Sequence, residues 1–113
     1  MNKITFEEFC GVMSFEITNN QTCIEIEFSI DNYQDFQCSW LGKKLYGEDN
    51  KVIYWFGLTE DGSQAYDFES FEQFLNAKVF HAKNIKEIWD LVTIRSIDAC
   101  SIEERLPFYL SSE

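Results

Sequence analysis

Between residues 22 and 30 apolar and acidic side chains alternate without a break. Ile24, Ile26, Phe28 and Ile30 fall on one parity, Glu25, Glu27 and Ser29 on the other. A period of two sends successive side chains to opposite faces, so the segment is a strand with one dry face and one wet face. Such a strand cannot bury its apolar edge alone; it demands a sheet and a layer that covers one side of it. Residues 12–18 alternate as well, and Asn19-Asn20 between the two runs suits a two-residue hairpin loop, because Asn tolerates positive φ. That loop places Phe15 opposite Ile24 and Met13 opposite Ile26, with Ser14 facing Glu25 and Glu16 facing Cys23 on the other side. A slip of one residue would mix the two faces.

Further strands are expected at 36–41, at 51–59 after the turn Gly47-Glu48-Asp49-Asn50, and at 64–69 after Asp61-Gly62. Asp-Gly between two β-rich runs signals a tight hairpin. With Asp61-Gly62 as a two-residue loop, Trp55 faces Phe68 and Gly57 faces Tyr66, so that Ile53, Trp55, Tyr66 and Phe68 read as core. Tyr54, Phe56 and Leu58 then lie on the other face, with Asp67 opposite Phe56 and Glu69 opposite Tyr54. Thr5 with Glu8 forms a capping box ahead of a short helix that Gly11 ends. Ser70 with Gln73 and Asn84 with Glu87 open two more, and Ser101 with Glu104 a last one that Pro107 stops. Residues 91–97 read as a final strand. The resulting class is α+β: an antiparallel β-meander sheet with helices packed on one face.

The chain has 113 residues, nineteen of them aromatic, and 45% of it is apolar. That size and composition fit a single α+β domain spanning residues 1–113 and argue against disorder. Nine basic residues against twenty acidic ones leave a net charge of −11. Direct nucleic-acid binding through phosphates is disfavoured, because it needs a basic face. The imbalance is local: residues 4–42 hold seven acids and no base, and residues 52–77 five acids and no base. The N-terminus, acidic almost at once, has no signal-peptide pattern, and no apolar run approaches the ~20 residues of a membrane span. A cytoplasmic protein with no membrane partner is expected.

No reaction signature is present. The five glycines are isolated, so no P-loop, no G-x-G-x-x-G and no G-x-S-x-G occurs. Cys10, Cys23, Cys38 and Cys100 form no paired metal motif, and the single histidine, His81, has no cysteine near it in sequence. Four reduced, mostly buried thiols, no metal and no cofactor are the expectation. His81 reads as a loop residue rather than the partner of a nucleophile. Lys78, Lys83 and Lys86 form a small basic spot on a predicted helical stretch, solvating it or pairing with Glu87 and Asp90.

Two constellations suggest binding rather than catalysis. The first is an acidic sheet face: Glu16, Glu25 and Glu27, continued by Asp31 and Asp35 in the next loop. The second is an aromatic patch, Tyr54 and Phe56, rimmed by Glu60, Asp61, Asp67 and Glu69, with Trp40 as a further anchor. A solvated strand face and a covered apolar face are the plain readings of the same residues. Aromatic anchors inside a charged rim are what protein interfaces use, and clustered carboxylates speed encounter with a cationic surface.

In size, acidity and α+β build the chain resembles the immunity proteins of bacterial contact-dependent and polymorphic toxin systems. That resemblance implies a non-enzymatic inhibitor that binds and neutralises a basic partner protein, a cognate toxin of nuclease type, whose substrate groove an acidic face would fill. Two alternatives stand beside it: a DNA-mimic inhibitor of a host nuclease, and a small ligand-binding or enzymatic domain with a pocket between sheet and helices.

Overall fold

The alternation at Ile24–Ile30 forms the strand it predicts. β1 runs Cys23–Ile30, with Ile24, Ile26, Phe28 and Ile30 fully buried and Cys23 and Glu25 exposed. The computed structural model describes residues 4–110, so the first three residues of the N-terminal reading lie outside them. β2 (Ser39–Tyr46), β3 (Lys51–Gly57) and β4 (Ala65–Phe68) continue as an antiparallel meander. β5 (Val92–Ile97) returns antiparallel to the free edge of β1, giving the order β4-β3-β2-β1-β5. The class is α+β, with an open five-stranded antiparallel sheet and three helices.

The register sorts side chains cleanly. Ile26 lies opposite Leu41, Leu41 opposite Phe56 and Phe56 opposite Tyr66, while Ile26 meets Ile97 on the other side. This row is the spine of the core. Helices α1 (Phe6–Met13), α2 (Phe71–Asn76) and α3 (Ile102–Leu110) close over it. Phe74 of α2 stacks on Phe56 at 4.2 Å, with Phe80 edge-on to Phe56 at 5.2 Å. Phe9 of α1 meets Trp89 at 4.8 Å, and the Trp89 indole N–H donates to the Ile4 carbonyl at 3.0 Å. Tyr109 of α3 sits edge-on to Phe15 at 4.9 Å.

The capping signals are where the sequence places them. Thr5 and Glu8 bond each other's backbone N–H at 3.0 and 2.9 Å, the Ser70 hydroxyl accepts from Gln73 N–H, and Asn84 and Glu87 form a reciprocal pair. Beyond the caps the chain departs from the expected elements. Gly11 does not end α1; Phe9, Val12 and Met13 are buried at helical spacing, and the helix continues to Met13. Residues 12–18 therefore form no strand. Only the isolated bridge Thr18–Gln21 survives of the first hairpin, closed around Asn19-Asn20 without positive φ at either residue. Asn84 opens no α-helix: the segment makes turns and one 3-10 turn, Trp89–Leu91, because the chain must enter β5 immediately. Pro107 lies inside α3 rather than ending it.

The Asp61-Gly62 hairpin forms one residue out of the expected register. Tyr54 pairs with Phe68, Trp55 with Asp67 and Phe56 with Tyr66, and Leu58 N–H bonds the Gln64 carbonyl at 2.9 Å. The loop is therefore longer than two residues. Asp61 holds it open by accepting from Ser63 N–H at 3.0 Å and from the hydroxyls of Thr59 and Ser63 at 2.7 and 2.8 Å, while Gly62 takes φ +76°. A one-residue slip exchanges the two faces of a strand. Tyr54, Phe56 and Leu58 consequently belong to the core face, and Trp55 to the other.

Candidate functional site

The three helices pack on one side of the sheet, and among the described residues the opposite face carries no helix. Its residues are set by the register. One cross-strand row runs Glu25, Gly42, Trp55, Asp67, and the next runs Glu27, Trp40, Gly57, Ala65. Each tryptophan thus stands beside a glycine on the neighbouring strand. A side-chain carbon at Gly42 would lie 3.0 Å from Cζ2 of Trp55, and one at Gly57 would lie 3.9 Å from Cζ3 of the same ring. The Trp55 indole therefore lies across the backbone at Gly42, and Gly57 leaves open floor beside it. An open groove of about 690 Å³ results, walled by Trp40 and Trp55, floored by Gly57 and rimmed by Glu25, Glu27 and Glu60.

The groove is negative, and among the described residues none of its carboxylates lies in an ion pair. The ion pairs found among the described residues are Lys51–Glu69 at 3.6 Å, His81–Asp35 at 3.1 Å and Arg105–Asp98 at 2.8 Å. None of them uses Glu25, Glu27 or Glu60. Glu27 is held by the Ser96 hydroxyl at 3.4 Å. Glu60, as acceptor and by its charge, pushes the Cys38 thiol upward, and Arg95 opposes this. A thiol held protonated beside a carboxylate is a poor nucleophile. Lys44 shares the face, opposite Cys23 and Ile53.

The other sequence-derived candidates separate. Trp40, Glu25, Glu27, Glu60 and Asp67 come together on the open face. Tyr54 and Phe56 do not: Phe56 is buried and Tyr54 half-buried under α2, in ring contact with Phe71 and Phe74, so no exposed Tyr54–Phe56 patch exists. Glu16 is not on the face of Glu25 and Glu27, because the strand that would have placed it there is absent; it borders a separate groove with Lys43 on the helical side. Lys43 is buried there, its Nζ donating to the Met13 carbonyl at 2.7 Å, and burial pushes its pKa down. Asp31 is an exposed turn residue whose N–H bonds the Leu91 carbonyl. Asp35 is engaged by His81, which stacks on Tyr33 at 4.7 Å. Glu69 is taken by Lys51.

Sequence reasoning missed Trp55, assigned to the core, and Tyr46, which is 64% exposed on the same open face. It also expected buried thiols. Cys23, Cys38 and Cys100 are exposed and Cys10 is half-buried, all four free. Burial raises the Cys10 and Cys23 thiols, so neither is activated. Among the described residues no group of three His, Cys, Asp or Glu side chains could hold a metal ion, and no helix is long and apolar enough to cross a membrane.

Asp61, although fully exposed, is held at about 2 against an ordinary 3.8 by the Ser63 N–H, the Thr59 hydroxyl and the Ser63 hydroxyl. A depressed carboxylate adds stability above its unfolded pKa and loses it as pH falls through the folded value. The hairpin contribution should thus be intact above about pH 4 and disappear towards pH 2. In a carboxyl-carbon NMR titration Asp61 should have its midpoint at about 2; a midpoint at the ordinary 3.8 would contradict the loop geometry.

No protein-family model, curated protein or solved structure matches the chain.

Proposed function

We propose that the chain is a non-enzymatic inhibitor that caps a cationic protein with the uncovered face of its sheet, acting in the cytoplasm as an immunity protein against a nuclease-type toxin. One observation carries the reading: two tryptophans share a sheet face uncovered by the described helices with four carboxylates, Glu25, Glu27, Glu60 and Asp67, that form no ion pair among the described residues. Large rings supply apolar area that desolvates on contact, and the carboxylates supply a potential that attracts a basic surface and repels DNA and acidic proteins. A nuclease groove built for phosphates has the complementary charge. The division of labour is set by screening. At ~0.15 M salt the Debye length is only ~8 Å, so charge governs encounter while packed rings govern lifetime.

The test is the kinetics of association with a nuclease toxin domain encoded beside this chain. Raising salt from about 50 to about 300 mM should slow association ~10-fold or more and change dissociation much less. Replacing Trp40 and Trp55 together by alanine should speed dissociation ~100-fold. Association indifferent to salt, or a complex equally long-lived without both rings, would overturn the proposal.

A further inference from the structure

We infer that the groove between Trp40 and Trp55 is a guanidinium subsite, which receives an arginine side chain from an extended basic segment of the partner. The inference rests on the proposed function above and specifies what fills its central groove.

The geometry selects a planar cation. Trp40 and Trp55 sit on adjacent strands, one row apart, and line the same groove, with Gly57 contributing no side chain between them. A flat group can therefore lie against an indole face. Glu25 and Glu27 project from β1 on the same side, two residues apart, and Glu60 approaches from the β3–β4 loop. Carboxylates thus border the groove on two sides. Guanidinium matches that arrangement: it stacks on indole, is only weakly hydrated, and directs its N–H donors within its own plane, where carboxylates accept two at a time. A lysine ammonium offers a compact, strongly hydrated charge and cannot use the ring walls and the rim together as well.

A path for the rest of the segment is also present. A smaller groove of about 160 Å³, bordered by Gln34, Asp35 and Gln37, shares Cys38, Thr59 and Glu60 with the first. The two form one track from β1 across the end of β2 to the 3-10 turn Gln34–Phe36. The Gln34 amide suits a peptide group of an extended chain; the Gln37 amide N–H groups are donated to the Ile30 and Tyr33 carbonyls, and Asp35 at the far end is held by His81 at 3.1 Å. Lys44 and Arg95 are the nearby cations of the face; neither is within ion-pairing distance of the rim carboxylates.

The experiment uses the intact chain and three acetylated, amidated tripeptides: Gly-Arg-Gly, Gly-Lys-Gly and Gly-citrulline-Gly. The indole Nε1–H signals of Trp40 and Trp55 report occupancy, and Trp89, buried with its N–H on Ile4, is the internal reference. The arginine peptide should shift Trp40 and Trp55 and leave Trp89 still, binding ~3-fold or more tightly than the lysine peptide, with the neutral citrulline peptide giving no shift. Glu27→Gln and Glu60→Gln should each weaken the arginine peptide ~3-fold or more while the amide spectrum stays folded. Equal binding of arginine and lysine, equal binding of citrulline, or a Trp89 shift as large as the others would overturn the subsite. If all three peptides leave the indoles unmoved while the Trp40/Trp55 double variant still loses the partner protein, the subsite is wrong and the docking face stands. If the partner ignores both tryptophans as well, both fail.

Discussion

Phe56→Ala should destabilise the fold by ~3–5 kcal/mol, the range for emptying a fully packed aromatic site, whereas Trp55→Ala, one residue away, should cost clearly less, ~1–2 kcal/mol, because that ring is only partly buried. The contrast comes from register. Phe56 is 1% exposed and is gripped from three sides, by Phe74 at 4.2 Å, Phe80 at 5.2 Å and Phe68 at 6.1 Å. Removing it leaves a void at the meeting point of α2, β3 and β4 that none of those rings can fill without leaving its other contacts. Trp55 is partly exposed on the open face, and its ring lies across the backbone at Gly42 rather than inside the core. Set against the 5–15 kcal/mol that typically holds a domain together, the first change brings the chain close to unfolding. Urea midpoints of the two variants measure the difference directly. In the register expected of a two-residue Asp61-Gly62 loop the order would reverse, so a Trp55→Ala variant less stable than Phe56→Ala would disprove the observed pairing.

Gly42→Ala should be nearly as damaging, at ~3 kcal/mol or more. The added carbon would lie 1.9 Å from the carbonyl oxygen of Ile24 and 3.0 Å from its carbonyl carbon. Both are backbone atoms of β1, the strand that pairs with β2 on one side and β5 on the other. No side-chain rotation relieves the clash; the two strands must part where the core row runs. Glycine here is needed for close approach, not for a special φ. Gly57→Ala is the control. Its new carbon meets only Trp55 at 3.9 Å, an ordinary contact, so thermal unfolding should shift little. The same methyl raises the floor of the groove. A Gly42→Ala protein that melts with the wild type would mean that the β1–β2 approach is looser than these distances require.

The parts of the fold legible in the sequence were those set by short-range chemistry. The Thr5 capping box forms as read, Ser70 caps α2 by its hydroxyl alone, with Gln73 reaching back to Glu69 N–H, and Asn84 and Glu87 make their reciprocal pair without a helix behind it; each bond needs only residues three or four apart. The β1 face is right because four apolar residues on one parity leave no choice. Errors arose where local patterns have two solutions. Val12, Met13, Ser14, Phe15 and Glu16 read as an alternation, yet Phe9, Val12 and Met13 also satisfy a helix, and the buried helical face won. In the second hairpin the loop chemistry of Asp61 decided the register, and with it the side on which Phe56 falls. A warning was available: the expected register set Phe56 against Asp67, while the observed one sets Phe56 against Tyr66.

The candidate site was legible in half. Glu25 and Glu27 are placed on a wet face by parity alone, and Trp40 is named as an anchor without a face. Trp55 joined them only through the slipped register, and Glu60 through a loop whose path no sequence rule specifies. The uncovered side therefore holds a different set from the expected one: Trp40 and Trp55 with Glu25, Glu27, Glu60 and Asp67, while Tyr54 and Phe56 are inside and Glu16 lies on the helical side.

The most direct test of that grouping is a pair of triple charge reversals compared in one binding measurement. Glu25, Glu27 and Glu60 changed to lysine invert the groove; Glu7, Glu72 and Glu103, exposed on the three helices of the opposite side, changed to lysine alter net charge equally. If the open face is the docking surface, the first variant should lose affinity for the cationic partner by ~100-fold or more and the second by only a few-fold, through slower encounter. Equal losses from the two would show that overall charge, rather than this face, does the binding.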